Sequence, residues 1–382
     1  MKHTRLAVAA AIGSGCLLSA LFALPAAADE GAQLPRHAGF TTLVTTPLAI
    51  EGLTGDRSGT SLYTPGRNAG AGIACPVWQV ALASVTPVVV GRIPAPSPSG
   101  QCSPSGVAFG PDGRLYVSEA DKVYAFAPDA ANPPLATVYA SGVPGTNGLA
   151  FDGAGRLWTG DGTTGLGRVW KIDRSGTVTE VFRIQPMANA LGVGRQAVTL
   201  PPGTAQPLVA NGLAFERDGD LLVADTARGA IWRARFDRRG ELASPSGCDT
   251  TFTANTLCLS NVVVAHPLLE GADGIALDRA GNVWVDANER NAVVVATCEG
   301  AVVEIFRNPP DATTQLRNAG PLEFPTSPFL LGDLMCSANS DGARRDNVPA
   351  SAGELGAPGG PRGKISCLDR RLNVPGLPLP VR

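Results

Sequence analysis

Short apolar runs with alternating polar positions recur along the chain, separated by polar turns. Three stretches are near copies of one another. They read NGLAFDGAGRLWTGD from Asn147, NGLAFERDGDLLVADT from Asn211 and DGIALDRAGNVWVDAN from Asp273. Each opens on Asn or Asp followed by Gly, runs into a short apolar strand, turns through a polar segment and enters a second strand. A third strand follows, as in KVYAF, RVWKI, AIWRARF and AVVVA, and a fourth closes several units, as in TVTEVFRI and GAVVEIFRN. Period-two alternation bounded by Asp-Gly and Gly-Asn turns predicts antiparallel hairpins. Four short strands per unit, repeated at this period, predict the blades of a propeller.

The first strands are expected near Ile50, Ser105, Asn147, Asn211, Asp273 and Thr326. The fold class is therefore all-β: a six-bladed β-propeller of four-stranded antiparallel blades, closed by an N-terminal strand. The closing strand is GFTTLVTTP, residues 39–47. Blade six, TSPFLLGDLMCSANSDG followed by GKISCLDRRL, lacks a fourth strand of its own. Pairing the two would remove two open sheet edges. Residues 185–208, rich in Gly and Pro, read as an inter-blade insertion that could lie over one face of the ring. Residues 342–363 read as a loop within the last blade. Trp158, Trp170, Trp232 and Trp284 recur at blade strands and are expected in the inter-blade core.

Composition agrees with a turn-rich β protein. The chain has 46 Gly and 32 Pro among 382 residues, and its formal net charge of -2 with no basic block gives no nucleic-acid surface. The N-terminus reads as an export signal, residues 1–28. MKHTR is a basic start, an apolar stretch follows, and Ala26-Ala27-Ala28 offers a cleavage site before Asp29. The alternative is an uncleaved anchor, against which Gly13, Ser14 and Gly15 interrupt the apolar run. The mature part, residues 29–382, is expected to be one propeller domain with no membrane span, secreted or periplasmic. Export permits disulfides. Cys75–Cys102, Cys248–Cys258 and Cys336–Cys367 are plausible local pairs that leave Cys298 over, although connectivity does not follow from sequence. His37 and His266 are the mature histidines, and no Cys/His spacing suggests zinc.

In a propeller the first strand of each blade lines the central channel. The residues that open these strands should therefore converge at one channel mouth. The expected ring is Glu51, Ser105, Asn147, Asn211 and Asp273, with Thr326 or Ser327 as its sixth member. The step from Asn147 to Asn211 is 64 residues and from Asn211 to Asp273 is 62, as successive blades in one register require. Two carboxylates and two carboxamides aimed at one point form an oxygen-donor set suited to a hard divalent cation such as calcium. Without a cation the two carboxylates would repel. The bland alternative is that Asn-Gly and Asp-Gly are ordinary turn pairs, because both residues tolerate positive φ.

The motifs IEGL at 50–53, TNGLAF at 146–151, ANGLAF at 210–215 and ADGIAL at 272–277 resemble the gluconolactonase/regucalcin (senescence marker protein) family. That resemblance implies a six-bladed propeller with one divalent metal in its channel. It implies Glu51, Asn211 and Asp273 as metal ligands, and Asn147 as a substrate-binding residue lining the pocket. Asp273 would double as the catalytic general base in lactone hydrolysis. Ser105 completes the substrate-facing side of the ring. Calcium is the first candidate for the ion, with zinc and manganese as alternatives, and the substrate would be a small lactone or ester. There are departures from the pattern: Glu51 sits in EGLTGDRSG without the proline and aromatic strand the family places there, and no substrate-gripping arginine stands out near blade two. The blades also resemble NHL repeats, so the alternative is a non-catalytic propeller that binds a protein, peptide or glycan.

Overall fold

The structure, a computed structural model, describes residues 34–35, 38–185, 209–312, 316–317, 320–340 and 362–379. The expected signal segment 1–28, all of the insertion 185–208 but its first residue, and almost all of the loop 342–363 lie outside the described residues.

Six antiparallel sheets form the molecule. The first strand of blade one is Thr54–Gly55, preceded by a bridge between Ile50 and Gly66. The first strands of blades two to six are Val107–Phe109, Thr146–Phe151, Ala210–Phe215, Ala272–Leu277 and Pro325–Leu331. They touch in cyclic order, one to two and on to six, and six touches one. The ring is therefore closed. Phe40–Thr46 is the fourth strand of blade six and runs antiparallel to Gly363–Leu368, as the sequence pattern requires.

The hairpins follow from local chemistry. In blade three, Asp152 Oδ1 accepts the N–H groups of Ala154 and Arg156 at 3.0 and 2.9 Å, and Gly155 takes φ +76°. In blade five, Asp278 Oδ1 accepts from Ala280 and Asn282 at 2.9 and 3.0 Å, with Gly281 at φ +83°. A short acceptor side chain and a residue free to go left-handed are what a tight turn demands. The aspartates' second oxygens bind the indoles of Trp158 and Trp284, so the turn is tied to the core beside it.

The core lies between blades. Apolar clusters bridge each pair of neighbours around the ring, for example Ile50, Leu62, Phe329 and Ile365 between blades one and six. All four repeated tryptophans are buried, and Trp158 meets Phe215 of the next blade edge-on at 5.7 Å.

Cys75–Cys102, Cys248–Cys258 and Cys336–Cys367 are disulfides, and Cys298 is free. Cys336–Cys367 joins the second and third strands of blade six across a paired position. Cys248–Cys258 closes a feature that the repeat pattern conceals. Between the third strand of blade four, Ala230–Ala234, and its fourth, Val262–Ala265, the chain makes an excursion. There Thr256–Leu257 adds to blade three as a fifth, parallel strand against Val178–Ile184. Among the described residues the helical elements are three short 3-10 turns, and no helix is long and apolar enough to cross a membrane.

Candidate functional site at the channel mouth

The residues that open the first strands form a ring of direct backbone contacts. A methyl group added at Gly148, Gly212 or Gly274 would lie 2.5, 2.6 and 2.5 Å from the carbonyl oxygens of Asn211, Asp273 and Thr326 respectively. Gly52 abuts the Ser105 carbonyl and Gly106 the Asn147 carbonyl in the same way. Thr326 closes the circle by donating its hydroxyl to the Glu51 carbonyl oxygen at 2.7 Å. The cyclic order is thus Glu51, Ser105, Asn147, Asn211, Asp273, Thr326.

This geometry corrects the turn-pair alternative. None of these five glycines lies in the left-handed region. Each follows a ring residue because only a residue without Cβ lets the neighbouring blade's backbone come so close to the axis. Of the two candidates for the sixth position, Thr326 takes it. Its hydroxyl is spent on closing the ring and not on facing the channel.

In blades three to five the residue that follows the second strand contacts the ring side chain of the same blade. In blade three it is Gly162, against which the Asn147 amide packs. In blade four it is Thr226. Asn211 Nδ2 donates to its hydroxyl at 3.2 Å, and that hydroxyl donates in turn to the Ala272 carbonyl at 2.7 Å. The nitrogen end of the Asn211 amide is therefore engaged, and the carbonyl end is available. In blade five it is Asn288, whose Nδ2 donates to Asp273 Oδ2 at 2.7 Å. Asn211, Asp273 and Asn288 are all buried. The Oδ1 atom of Asn288 is buried with no hydrogen-bond partner, an unspent acceptor beside the aspartate. Oxygen acceptors gathered on adjacent blades, one of them orphaned, fit a hard divalent cation.

Glu51 differs from the expectation of a bare carboxylate. It forms an ion pair with Arg67 Nη1, and the same guanidinium donates through Nε and Nη2 to Ser103 Oγ at 3.0 and 2.7 Å. The Ser103 N–H donates to Glu119 Oε2 at 2.8 Å. Burial pushes the Glu119 carboxyl up to about 7, even though that N–H and the Arg67 and Lys122 charges pull it down. Arg67, Glu119 and Asn288 are site residues that the sequence did not single out. Arg67 and Asn288 stand in loops where the blades differ, so repetition gave no signal for them.

A second group of polar residues lies at the other end of the first strand of blade four. Oxygens of Glu216, Asp218 and Asp220 come within 4.8 Å of one another. Arg233 pairs with Glu216 at 2.6 Å and Arg235 with Asp220 at 3.5 Å, so cations of this chain already offset part of their charge. Beside them is a cavity of about 440 Å³ lined by Asp152, Arg156, Trp158, Phe215 and Phe236. Both features lie on the face opposite the ring.

The repeat, with the ring residues Ser105, Asn147, Asn211 and Asp273, has a match among known families. A sequence model described as the SMP-30/gluconolactonase/LRE-like region matches residues 90–321, more than half of the chain. The chain belongs to this family. No match is found among curated protein sequences. Solved structures share the fold at low identity. A luciferin-regenerating enzyme superposes with a TM-score of 0.57 at 14% identity, covering 89% of this chain and 97% of that one. The calcium-binding protein regucalcin from Agrobacterium tumefaciens gives 0.54 at 18%, covering 88% and 94%. A PQQ-bound aldose sugar dehydrogenase from Streptomyces coelicolor gives 0.55 at 16%, covering 87% and 99%. The spread of chemistries among these neighbours means that the SMP-30/gluconolactonase/LRE-like fold alone does not choose a reaction. The choice rests on the ring residues.

Proposed function

We propose that this SMP-30/gluconolactonase/LRE-like protein is an exported, metal-dependent hydrolase of a lactone or related small ester, acting at the channel mouth. The observation that carries the reading is the closed ring of first-strand residues, with Asn211 and Asp273 adjacent in it and Glu51 next but one. Family membership supports a small-molecule substrate. Three disulfides support an oxidising compartment, in line with the export signal read from residues 1–28.

Asn211, Asp273 and Glu51 would hold the ion, calcium first among candidates in keeping with the oxygen donors. When bound, a divalent ion polarises a substrate carbonyl and acidifies a coordinated water. Asp273 would serve as the general base that takes up a proton at the site. The hydrogen bond from Asn288 holds the Asp273 carboxylate through Oδ2. Asn147 and Ser105, the half-buried members of the ring on its other side, orient the substrate.

The test is a melting experiment on the mature protein with calcium, manganese and zinc, followed by a panel of aldonolactones with pH-indicator detection. A ligand that binds only the folded state raises its stability by about 2.7 kcal/mol at a hundredfold excess over Kd. The expected result is a rise in Tm with at least one ion, lost in Asp273→Ala together with turnover. No shift with any ion and no turnover would leave a binding propeller of the NHL-like kind.

A further inference from the structure

Arg67 lies two residues beyond the second strand of blade one, Ser61–Pro65. Its position is fixed from several sides. Its N–H donates to the Ala49 carbonyl at 2.8 Å, and the N–H of Asn68 donates to the Cys102 carbonyl at 2.8 Å. Cys102 is in turn bonded to Cys75 at the start of the next strand. This frame holds the loop of Arg67 against the segment that carries Ser103. The guanidinium then spans two carboxylates. It contacts Glu51 directly, and it reaches Glu119 one step further on, through Ser103, whose hydroxyl and N–H face the two in turn. Arg67's charge is felt at Glu119.

Glu51 is therefore already neutralised by a cation that belongs to the chain. A divalent ion that takes Glu51 as a ligand must share it with a guanidinium or displace it, since two cations on one carboxylate repel each other. A second carboxylate, Glu119, stands within reach of the displaced side chain and is itself buried.

We propose that Arg67 is a resident counter-cation of the ring, which competes with a divalent ion for Glu51 and withdraws toward Glu119 when the ion binds. This rests on the reading of the ring as a metal centre. Arg67 keeps the ion-free ring from carrying two uncompensated acids, and it sets how tightly the ion is held. The ion's affinity is thus tuned by a residue that never touches it. Glu119 gives the half-buried arginine a second carboxylate to pair with once the ion takes Glu51.

The test is calorimetric titration of calcium and manganese into the mature protein and its variants, with melting curves run in parallel. Arg67→Gln is expected to bind the ion at least tenfold more tightly than wild type. Ser103→Ala, which loosens the guanidinium and leaves the ring untouched, should tighten binding by a smaller factor and serves if the first variant folds poorly. Glu119→Gln should weaken binding severalfold. Without ion, Arg67→Gln should melt below wild type, because Glu51 then lacks its partner. At saturating calcium the order should reverse, and a merely structural role for Arg67 would not produce that crossing. Equal or weaker binding by both Arg67→Gln and Ser103→Ala, with binding still lost in Asp273→Ala, would overturn the competition while the metal centre stands. Unchanged affinity in Glu119→Gln would overturn the withdrawal. If neither wild type nor Arg67→Gln binds any divalent ion, the metal centre falls and the proposal falls with it.

Discussion

At the scale of single residues, two cases show how position decides the meaning of a residue type. Gly212 directly follows Asn211, and Gly155 stands three residues after the turn acceptor Asp152. Gly155 is there to adopt φ +76°, and Gly212 is there to make room for the Asp273 backbone. Sequence places both glycines correctly but cannot tell these reasons apart. Asp286 is the second case. It lies in the second strand of blade five, fully buried, with one hydrogen bond from Ser337 Oγ at 2.6 Å and its Oδ1 without a partner. Burial pushes its carboxyl well above the ordinary aspartate range. The folded protein therefore keeps this proton at pH values where the unfolded chain has lost it. The sign follows from linkage: stability is full below about pH 4, the unfolded pKa, and falls as pH rises toward the folded value. Each pH unit in that window costs about 1.4 kcal/mol. Asp286→Asn, of the same shape and without charge, should match wild type near pH 4 and melt above it at pH 8. A set of thermal melts across that range checks this, and parallel profiles for the two proteins would show that the carboxyl is not held protonated.

At the scale of elements, the hairpins were legible and the departures from them were not. Turn chemistry repeats at Asp152 and Asp278, so those turns could be read from the residues alone. The fifth strand of blade three could not, because Thr256–Leu257 is short and belongs by sequence to blade four. What holds it is a tertiary device, the Cys248–Cys258 bridge, together with Gln185 Oε1, which accepts the Leu259 N–H at 3.0 Å. The two bridges at residues 248–258 and 336–367 should differ in reach. A loop of 10 residues contributes about 2.7 kcal/mol and one of 31 about 3.7 kcal/mol in the chain-entropy account. The first closes an excursion that can open while the ring persists, and the second ties two strands of the closing blade. Replacing both cysteines of the first pair by Ala should speed amide exchange at Thr256 and Leu257 and shift the calorimetric Tm little. Replacing the second pair should lower the global Tm by several degrees. Equal Tm losses for the two variants would mean that the excursion unfolds with the whole.

At the scale of the molecule, closure and site are one problem. Symmetry made the ring legible: a unit that repeats with one open edge at each end of the chain must meet itself, and Phe40–Thr46 is the segment left over to do it. The ring residues were legible for the same reason, since each occupies the same register in its blade. Arg67 and Asn288 were not, because a site needs its blades to differ, and repetition says nothing about differences. Glu51 connects the two levels. It follows the closing strand by a few residues, and its carbonyl receives the Thr326 hydroxyl across the seam between blades six and one. On the other side of that closing sheet, facing blade five, the fully buried Lys364 donates from Nζ to Glu323 Oε1 and to the Gly320 carbonyl, both at 2.7 Å. Removing the chain up to Leu48 should therefore have two effects. It exposes the edge of Gly363–Leu368, so the protein should melt lower and self-associate on a sizing column, as uncovered edges do. It also frees Glu51 from its fixed place in the ring, so any monomer that remains should gain no stability from calcium. A synthetic peptide of residues 38–48 added in trans should pair with the open edge and restore part of both properties. If the truncated protein instead stays monomeric and keeps its response to calcium, the seam is a convenience of the fold, and the three acceptor side chains are held in place by the blades alone.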